Sequence, residues 1–401
     1  MDEKAPPGPN QVKTPRLASI DLLRGLVMVV MALDHTRDYF SGATFDPTDL
    51  AKTDALWFLT RWITHFCAPV FVLLTGTGAY LSLTKGSMNR GELSIFLLKR
   101  GLWLVFLEVA VVSPLGWAFR LDWTFNRLQV IWVIGISMMV LGALIQMVPA
   151  KSIGALGLAL IAAHNLFDGN RAAWLGDWWK LLHEFYLFRP IPGKVFASLY
   201  PLVPWVGVMA LGYGIGSVFL YPAEKQHKWL IRAGTAAIAL FLLLRLTNIY
   251  GDPRPWTPQN SGLLTALSLL NVNKYPPSLL YLCMTLGPAA LFLAWSAKLP
   301  EFLSSPLVTL GRVPLFYYLI HLPVIHGLAV LFSYFRHGDA VWLFQDPFVA
   351  GRSAHPFPPG YGYSLGVVWL VWIAVVLALY PICRWYSRVK SRSRHPLLSY
   401  L

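Results

Sequence analysis

Long apolar runs, separated by short basic connections or by longer stretches rich in Pro and Gly, set the pattern of this chain. Runs of spanning length fall at 17–40, 57–84, 95–118, 127–149, 152–167, 199–220, 229–249, 278–297, 306–333 and 365–386. About 20 apolar residues cross a hydrocarbon core of ~30 Å. The pattern therefore predicts an all-α fold, a polytopic integral membrane bundle of about 10–11 transmembrane helices. The fifth run is short enough to be re-entrant, and the amphipathic 171–188 would add an interfacial helix. With no strict repeat and no soluble domain boundary, residues 17–388 read as one transmembrane domain. A polar, Pro-rich lead (1–16) is expected to be disordered, without a signal peptide. A basic tail (389–401) follows the domain.

Composition sharpens this reading. The chain is 56% hydrophobic and 13% charged, against about 25% charged for ordinary soluble domains. Its net charge of +14 belongs to loops on one side of a membrane, and no soluble basic domain exists to carry a nucleic-acid site. Lys13, Arg16, Lys85, Arg90, Lys99, Arg100, Lys225, Lys228, Arg232, Arg384, Arg388, Lys390, Arg392 and Arg394 fall on one face if ten spans are right, which predicts cytoplasmic termini. The longer connections 41–56, 168–198, 250–277 and 334–364 then face outward, with no periodicity of their own. Cys67, Cys283 and Cys383 lie in or beside apolar runs and read as buried thiols.

Charges inside the apolar runs carry the functional signal, because each costs about 3 kcal/mol near the bilayer centre by insertion scales. The first run, LASIDLLRGLVMVVMALDHTRDYF, holds Asp21, Arg24, Asp34 and His35. Arg24 and His35, eleven residues apart, share one helical face about 16 Å apart axially. Either residue alone would be explained by snorkelling to an interface; the aligned pair suits a site fed from both sides. In the second run Arg61 and His65 lie one turn apart, and Pro69 interrupts the backbone ladder. His35 and His65, if they meet, could serve as base, acid or nucleophile. With no third ligand at good spacing beside them, no metal is expected. TGTGAY (Thr75 to Tyr80) offers close helix packing or a slot for a slender arm. Lys99 and Arg100 stand at an inner rim, Glu108 requires a partner such as Arg127 or Arg24, and the ninth run brings Arg312 and His321 between Pro314 and Pro323. Arg312 suits a phosphate contact, and His321 is expected to line a cavity.

SIDLLRGLVMVVMALDH, RWITHFCAPVFVLLTGTGAYL, YPLVPWVGVMALGYGIG, KYPPSLLYLCMTLGP and LGRVPLFYYLIH together resemble bacterial heparan-α-glucosaminide N-acetyltransferase catalytic-domain-like proteins. The wider transmembrane acyltransferase superfamily carries an Arg, ten residues and a His on its first helix, a spacing that Arg24 and His35 match. The resemblance implies an enzyme in the bacterial inner membrane that moves an acetyl group from cytoplasmic acetyl-CoA to an amine or hydroxyl of a sugar or glycan acceptor on the far side. On that basis His35, His65 and Asp34 are the expected catalytic groups. Arg24, Lys99, Arg100 and Arg312 would bind the donor, and Arg37, Arg61 and His321 the acceptor. Membrane lipids are expected partners, and a homodimer is left open. The alternative class is a secondary transporter or proton-coupled channel built on the same buried charges.

Overall fold

The computed structural model describes residues 15–84, 88–169, 174–347 and 356–393. Most of the N-terminal lead, with Lys13, and also Lys85, Arg394 and the end of the basic tail lie outside them. Among the described residues, eight helical segments are long and apolar enough to cross a membrane: Ala55–Thr84, Val130–Met147, Ala150–Phe167, Leu202–Leu220, Ala223–Thr247, Leu279–Lys298, Pro314–His337 and Leu365–Arg392. The fifth predicted run, 152–167, lies within Ala150–Phe167 and is thus among them. This all-α bundle is an integral membrane protein.

Helix α1 (Pro15–Phe40), whose charges keep it out of that set, occupies the middle of the bundle. Around it stand α2 (Ala55–Ile63), which continues through a 3-10 turn into α3 (Cys67–Thr84), and α4 (Arg90–Leu107). With them are α5 (Val130–Met147), α6 (Ala150–Ala163), the short α7 (Asp177–His183), α8 (Leu202–Gly214), α9 (Ala223–Thr247) and the short α10 (Gly262–Leu270). The chain ends with α11 (Leu279–Trp295), α12 (Glu301–Gly311), α13 (Pro314–His337) and α14 (Leu365–Arg392). The start of α1 and the end of α14 share one face, since Lys390 lines a cavity with Asp21 and Arg24. At the opposite ends of the same helices, Ser41 and Tyr363 form a parallel bridge. These are called below the terminal face and the loop face.

Three departures from the apolar pattern position the site. The ninth run is two helices, α12 and α13, broken at Arg312–Val313. Pro314 disfavours the helical conformation for the residue before it and fits the first turn of the helix that follows. The third run leaves α-geometry at Glu108 and becomes a π-helix through Ala118 around Pro114, so Trp117 faces inward and is 1% exposed. The loop face carries a three-stranded sheet, in the order β1 (Phe125–Leu128), β3 (Lys194–Ser198), β2 (Tyr186–Ile191). β1 runs parallel to β3, and β2 antiparallel to it. The predicted helical start at 127 therefore gives way to strand β1; the predicted interfacial helix 171–188 begins outside the described residues, and its described part is α7 followed by the start of β2.

Close packing of α12 on α1 depends on two glycines. A Cβ on Gly25 would lie 1.8 Å from the Leu307 carbonyl oxygen, and one on Gly311 would lie 1.7 Å from that of Asp21. Backbone therefore touches backbone, and Arg312 is brought to the first turns of α1.

Candidate functional site: two polar chambers on either side of helix α1

On the terminal face a cavity of about 440 Å³ is lined by Asp21 and Arg24 of α1, Arg100 of α4, Arg312 and Lys390. Thr75, Gly78, Ala79 and Ser82 of α3 complete one side. Arg24 donates to the Leu74 carbonyl at 2.9 Å and lies 3.7 Å from Asp21, which also faces Arg312 at 3.9 Å. Four cations thus surround one carboxylate, a composition that favours a polyanionic ligand. Arg100 enters this wall while Lys99 is exposed and absent from it, because adjacent helical residues point about 100° apart. The TGTGAY stretch has two roles on two faces. Gly76 meets the Met209 carbonyl of α8, with a Cβ–O distance of 2.1 Å if a Cβ were present. Gly78 instead borders the cavity beside the Arg24 guanidinium. A second groove of about 260 Å³ shares Arg312 and Lys390 with the cavity and adds Ser387, Arg388 and Ser391.

On the loop face a cavity of about 430 Å³ is lined by Asp34, His35, Arg37, Asp38, Asp46, Arg61, Arg127 and Lys274, with Trp117, Phe185, Tyr200 and Tyr275 as aromatic walls. Phe71 and Val130 line both cavities. The two chambers are therefore back to back, Arg24 in one and His35 in the other.

His35 is held from several sides. Its Nδ1 lies 3.6 Å from the Asp38 carboxylate, ion-pair range but longer than a hydrogen bond, and its ring meets Trp117 edge-on at 4.9 Å. The Arg127 guanidinium sits 4.1 Å over the Trp117 ring and pairs through two nitrogens with Asp346, one at 2.9 Å. Asp38, one turn along α1, was not singled out from the sequence; the i, i+3 spacing from His35 is the signal that marks it. Trp117, Arg127, Lys274 and Tyr275 were also not assigned to the site, since their places depend on the π-helix, the sheet and the loop before α11. At Tyr275, burial pushes the hydroxyl up, but Lys274 and Arg61 outweigh it and the net shift is downward. At Asp46, burial acts upward, and the hydrogen bonds from Thr48 bring the carboxyl below its usual value.

Other predicted residues fall where helical geometry sends them. Asp34 accepts from Arg61 at 2.6 and 2.7 Å and faces Arg37 at 2.9 Å; Arg37 also holds Asp38 at 2.7 Å. This carboxylate is thus clamped by two guanidiniums. Asp34→Asn would leave Arg61 with a neutral partner in a largely buried setting, and about 3 kcal/mol of stability is expected to be lost. A thermal melt in detergent checks this, the expected result being a much lower midpoint than that of the half-exposed loop control Asp49→Asn.

The structure does not bring His65 to the His35 chamber. His65 lies in the 3-10 turn between α2 and α3, is 3% exposed, and its ring meets Tyr281 at 5.5 Å. Tyr281 donates to its backbone carbonyl at 2.7 Å. The ring near His35 is instead His321, with centroids 5.2 Å apart. His321 is fully buried and absent from the linings of both chambers. Its Nδ1 lies 2.7 Å from the Tyr318 carbonyl, which can only accept, so Nδ1 carries the proton. Glu108 is also buried, its Oε2 accepting from the Trp132 backbone N–H at 3.2 Å; of its suggested partners, Arg127 engages Asp346 and Arg24 engages Asp21.

Two polar chambers thus stand back to back within a helical membrane bundle. Residues 16–247 match the family model described as heparan-alpha-glucosaminide N-acetyltransferase, catalytic, and the chain belongs to this family of transmembrane acetyltransferases. The match includes α1, α3, the π-helix and α8, whereas the blocks at 274–288 and 310–321 lie beyond it. No curated protein matches the chain significantly.

Proposed function

We propose that this protein transfers an acetyl group from cytoplasmic acetyl-CoA, bound in the terminal-face chamber, to an amine or hydroxyl of a sugar or glycan at the loop face. On this reading the membrane is a bacterial inner membrane and both termini are cytoplasmic. The observation that carries the proposal is the shared wall. Phe71 and Val130 separate a cationic chamber from one holding a carboxylate-oriented imidazole. Arg24, Arg100, Arg312 and Lys390 supply the charges for the donor's phosphates, with the adjoining groove extending them. A pantetheine arm directed at Phe71 would present its thioester to the loop-face chamber, where Arg37, Arg61 and Lys274 offer donors to acceptor oxygens.

His35 acts as general base through Nε2, while Asp38 favours the tautomer with the proton on Nδ1. As the acceptor nitrogen or oxygen attacks the thioester carbonyl, its proton passes to His35. The C–S bond then breaks, and the departing CoA thiolate receives that proton. His65 and Asp34 act as framework in this scheme, and His321 packs behind His35. Direct transfer needs one displacement; an acetyl-His35 intermediate would need a second, and burst kinetics with a slow acceptor would reveal it.

Removing one phosphate-binding guanidinium costs about 1.5 kcal/mol, roughly tenfold in affinity. Arg100→Ala and Arg312→Ala are each expected to raise the KM for acetyl-CoA about tenfold with kcat nearly unchanged. Acetyl-CoA should raise the melting temperature of wild type but raise it far less in the double variant. A protein stabilised by protons or ions, indifferent to acetyl-CoA, would instead be the transporter.

A further inference from the structure

We infer that the loop face contains a zinc site, formed by His164, Asp168 and His183, that is separate from the acyl-transfer chambers and does not depend on that reaction. His164 closes α6 and opens a short 3-10 turn, Asp168 follows that turn, and His183 ends α7. One donor atom from each lies within 4.8 Å of the other two. His164 Nδ1 and His183 Nε2 are 3.1 Å apart, close to the ~3.3 Å that separates two imidazole nitrogens on a tetrahedral zinc with Zn–N near 2.05 Å.

The third group distinguishes this arrangement from a simple hydrogen bond between histidines. The Asp168 carboxylate is 3.8 Å from His183 Nε2, the same nitrogen that already faces His164. A neutral pair needs two groups at that point, yet three converge. Both rings are buried, at 2% and 0% exposure, and their outer nitrogens, His164 Nε2 and His183 Nδ1, have no hydrogen-bond partner. A cation shared by two imidazoles and a carboxylate would bind all three groups at the point where they converge.

The surroundings also hold the donors in place, as outer-shell groups do at metal sites. Asn165 donates to the other Asp168 oxygen at 2.7 Å and is itself fixed by the Leu279 N–H at 2.8 Å. Trp179 stacks on the His183 ring at 4.8 Å and 15°. Two imidazoles and a carboxylate suit zinc better than magnesium or calcium, which prefer all-oxygen shells. Zinc here would tie α6 to the segment that leads into Phe185, a wall residue of the loop-face chamber.

The full-length chain, purified without chelator or affinity-tag metal, is expected to retain about one zinc per chain by elemental analysis. His183→Ala and Asp168→Asn should each lower that content. Stripping with a chelator should lower the melting temperature, and zinc but not magnesium should restore it. Cobalt added to stripped wild type should give the intense visible absorption of a tetrahedral ion, a readout that remains if a variant fails to fold. Wild type without zinc and without that cobalt spectrum would overturn the assignment. Equal zinc in wild type and folded variants would mark an adventitious ion only and would overturn it too.

Discussion

Replacing His35 with alanine is expected to lower acetyl-transfer turnover by about 10³-fold, within the range that a positioned general base contributes. The KM for acetyl-CoA should stay close to wild type. The reason for this split is spatial: His35 lines the loop-face chamber, whereas the cations offered to the donor line the other. His65→Ala is the informative comparison, because His65 is buried beside Tyr281 and does not line the His35 chamber. Its turnover should fall only as far as its stability does. Asp38→Asn should give an intermediate loss, since the imidazole would keep its place but lose the carboxylate 3.6 Å from Nδ1. Turnover of purified protein under saturating acetyl-CoA measures all three. Full activity in His35→Ala would end the general-base assignment.

A single added side chain at Gly311 is expected to be as damaging as the loss of His35, but through folding. Gly311→Val would place a carbon 1.7 Å from the Asp21 carbonyl oxygen and 2.9 Å from the Gly25 amide nitrogen. Neither neighbour is the end of a flexible side chain, so α12 must move away from α1. Overpacking a tight core costs about 1–3 kcal/mol even where side chains can adjust, and a backbone-to-backbone clash exceeds that. The displaced helix would also carry Arg312 away from Asp21. Little monodisperse protein should be recovered on size exclusion, and what remains should melt far below wild type. Gly327→Ala in α13 is the control, because nothing lies within 4 Å of its added Cβ; it should leave the profile unchanged. Normal folding of Gly311→Val would mean that α12 does not pack against α1 as described.

How far the site could be read from the chain depended on the range of the interaction concerned. The alignment of Arg24 and His35 follows from helical repeat alone, and both do line cavities. The same repeat separates Arg100 from Lys99, yet it cannot say which of the two faces inward. His35 and His65 looked like neighbours because their runs are consecutive. The 3-10 turn at Thr64–Phe66 and the packing of Tyr281 instead hold His65 away from the chamber, and His321, remote in sequence, takes the place beside His35. The π-helix that aims Trp117 and the sheet that positions Arg127 had no periodic signature in the apolar pattern.

The sequence by itself determined that this is a membrane bundle and that α1 is unusually charged. Those properties follow from hydropathy and helical repeat, which act over one or two turns of chain. The tertiary structure alone decided that the two chambers meet at Phe71 and Val130, and that Asp38 and His321, not His65, stand beside His35. It also decided that α12 reaches α1 through paired glycines. Each of these is set by contacts between segments distant along the chain, where side-chain volume and backbone approach select among arrangements that share the same local pattern.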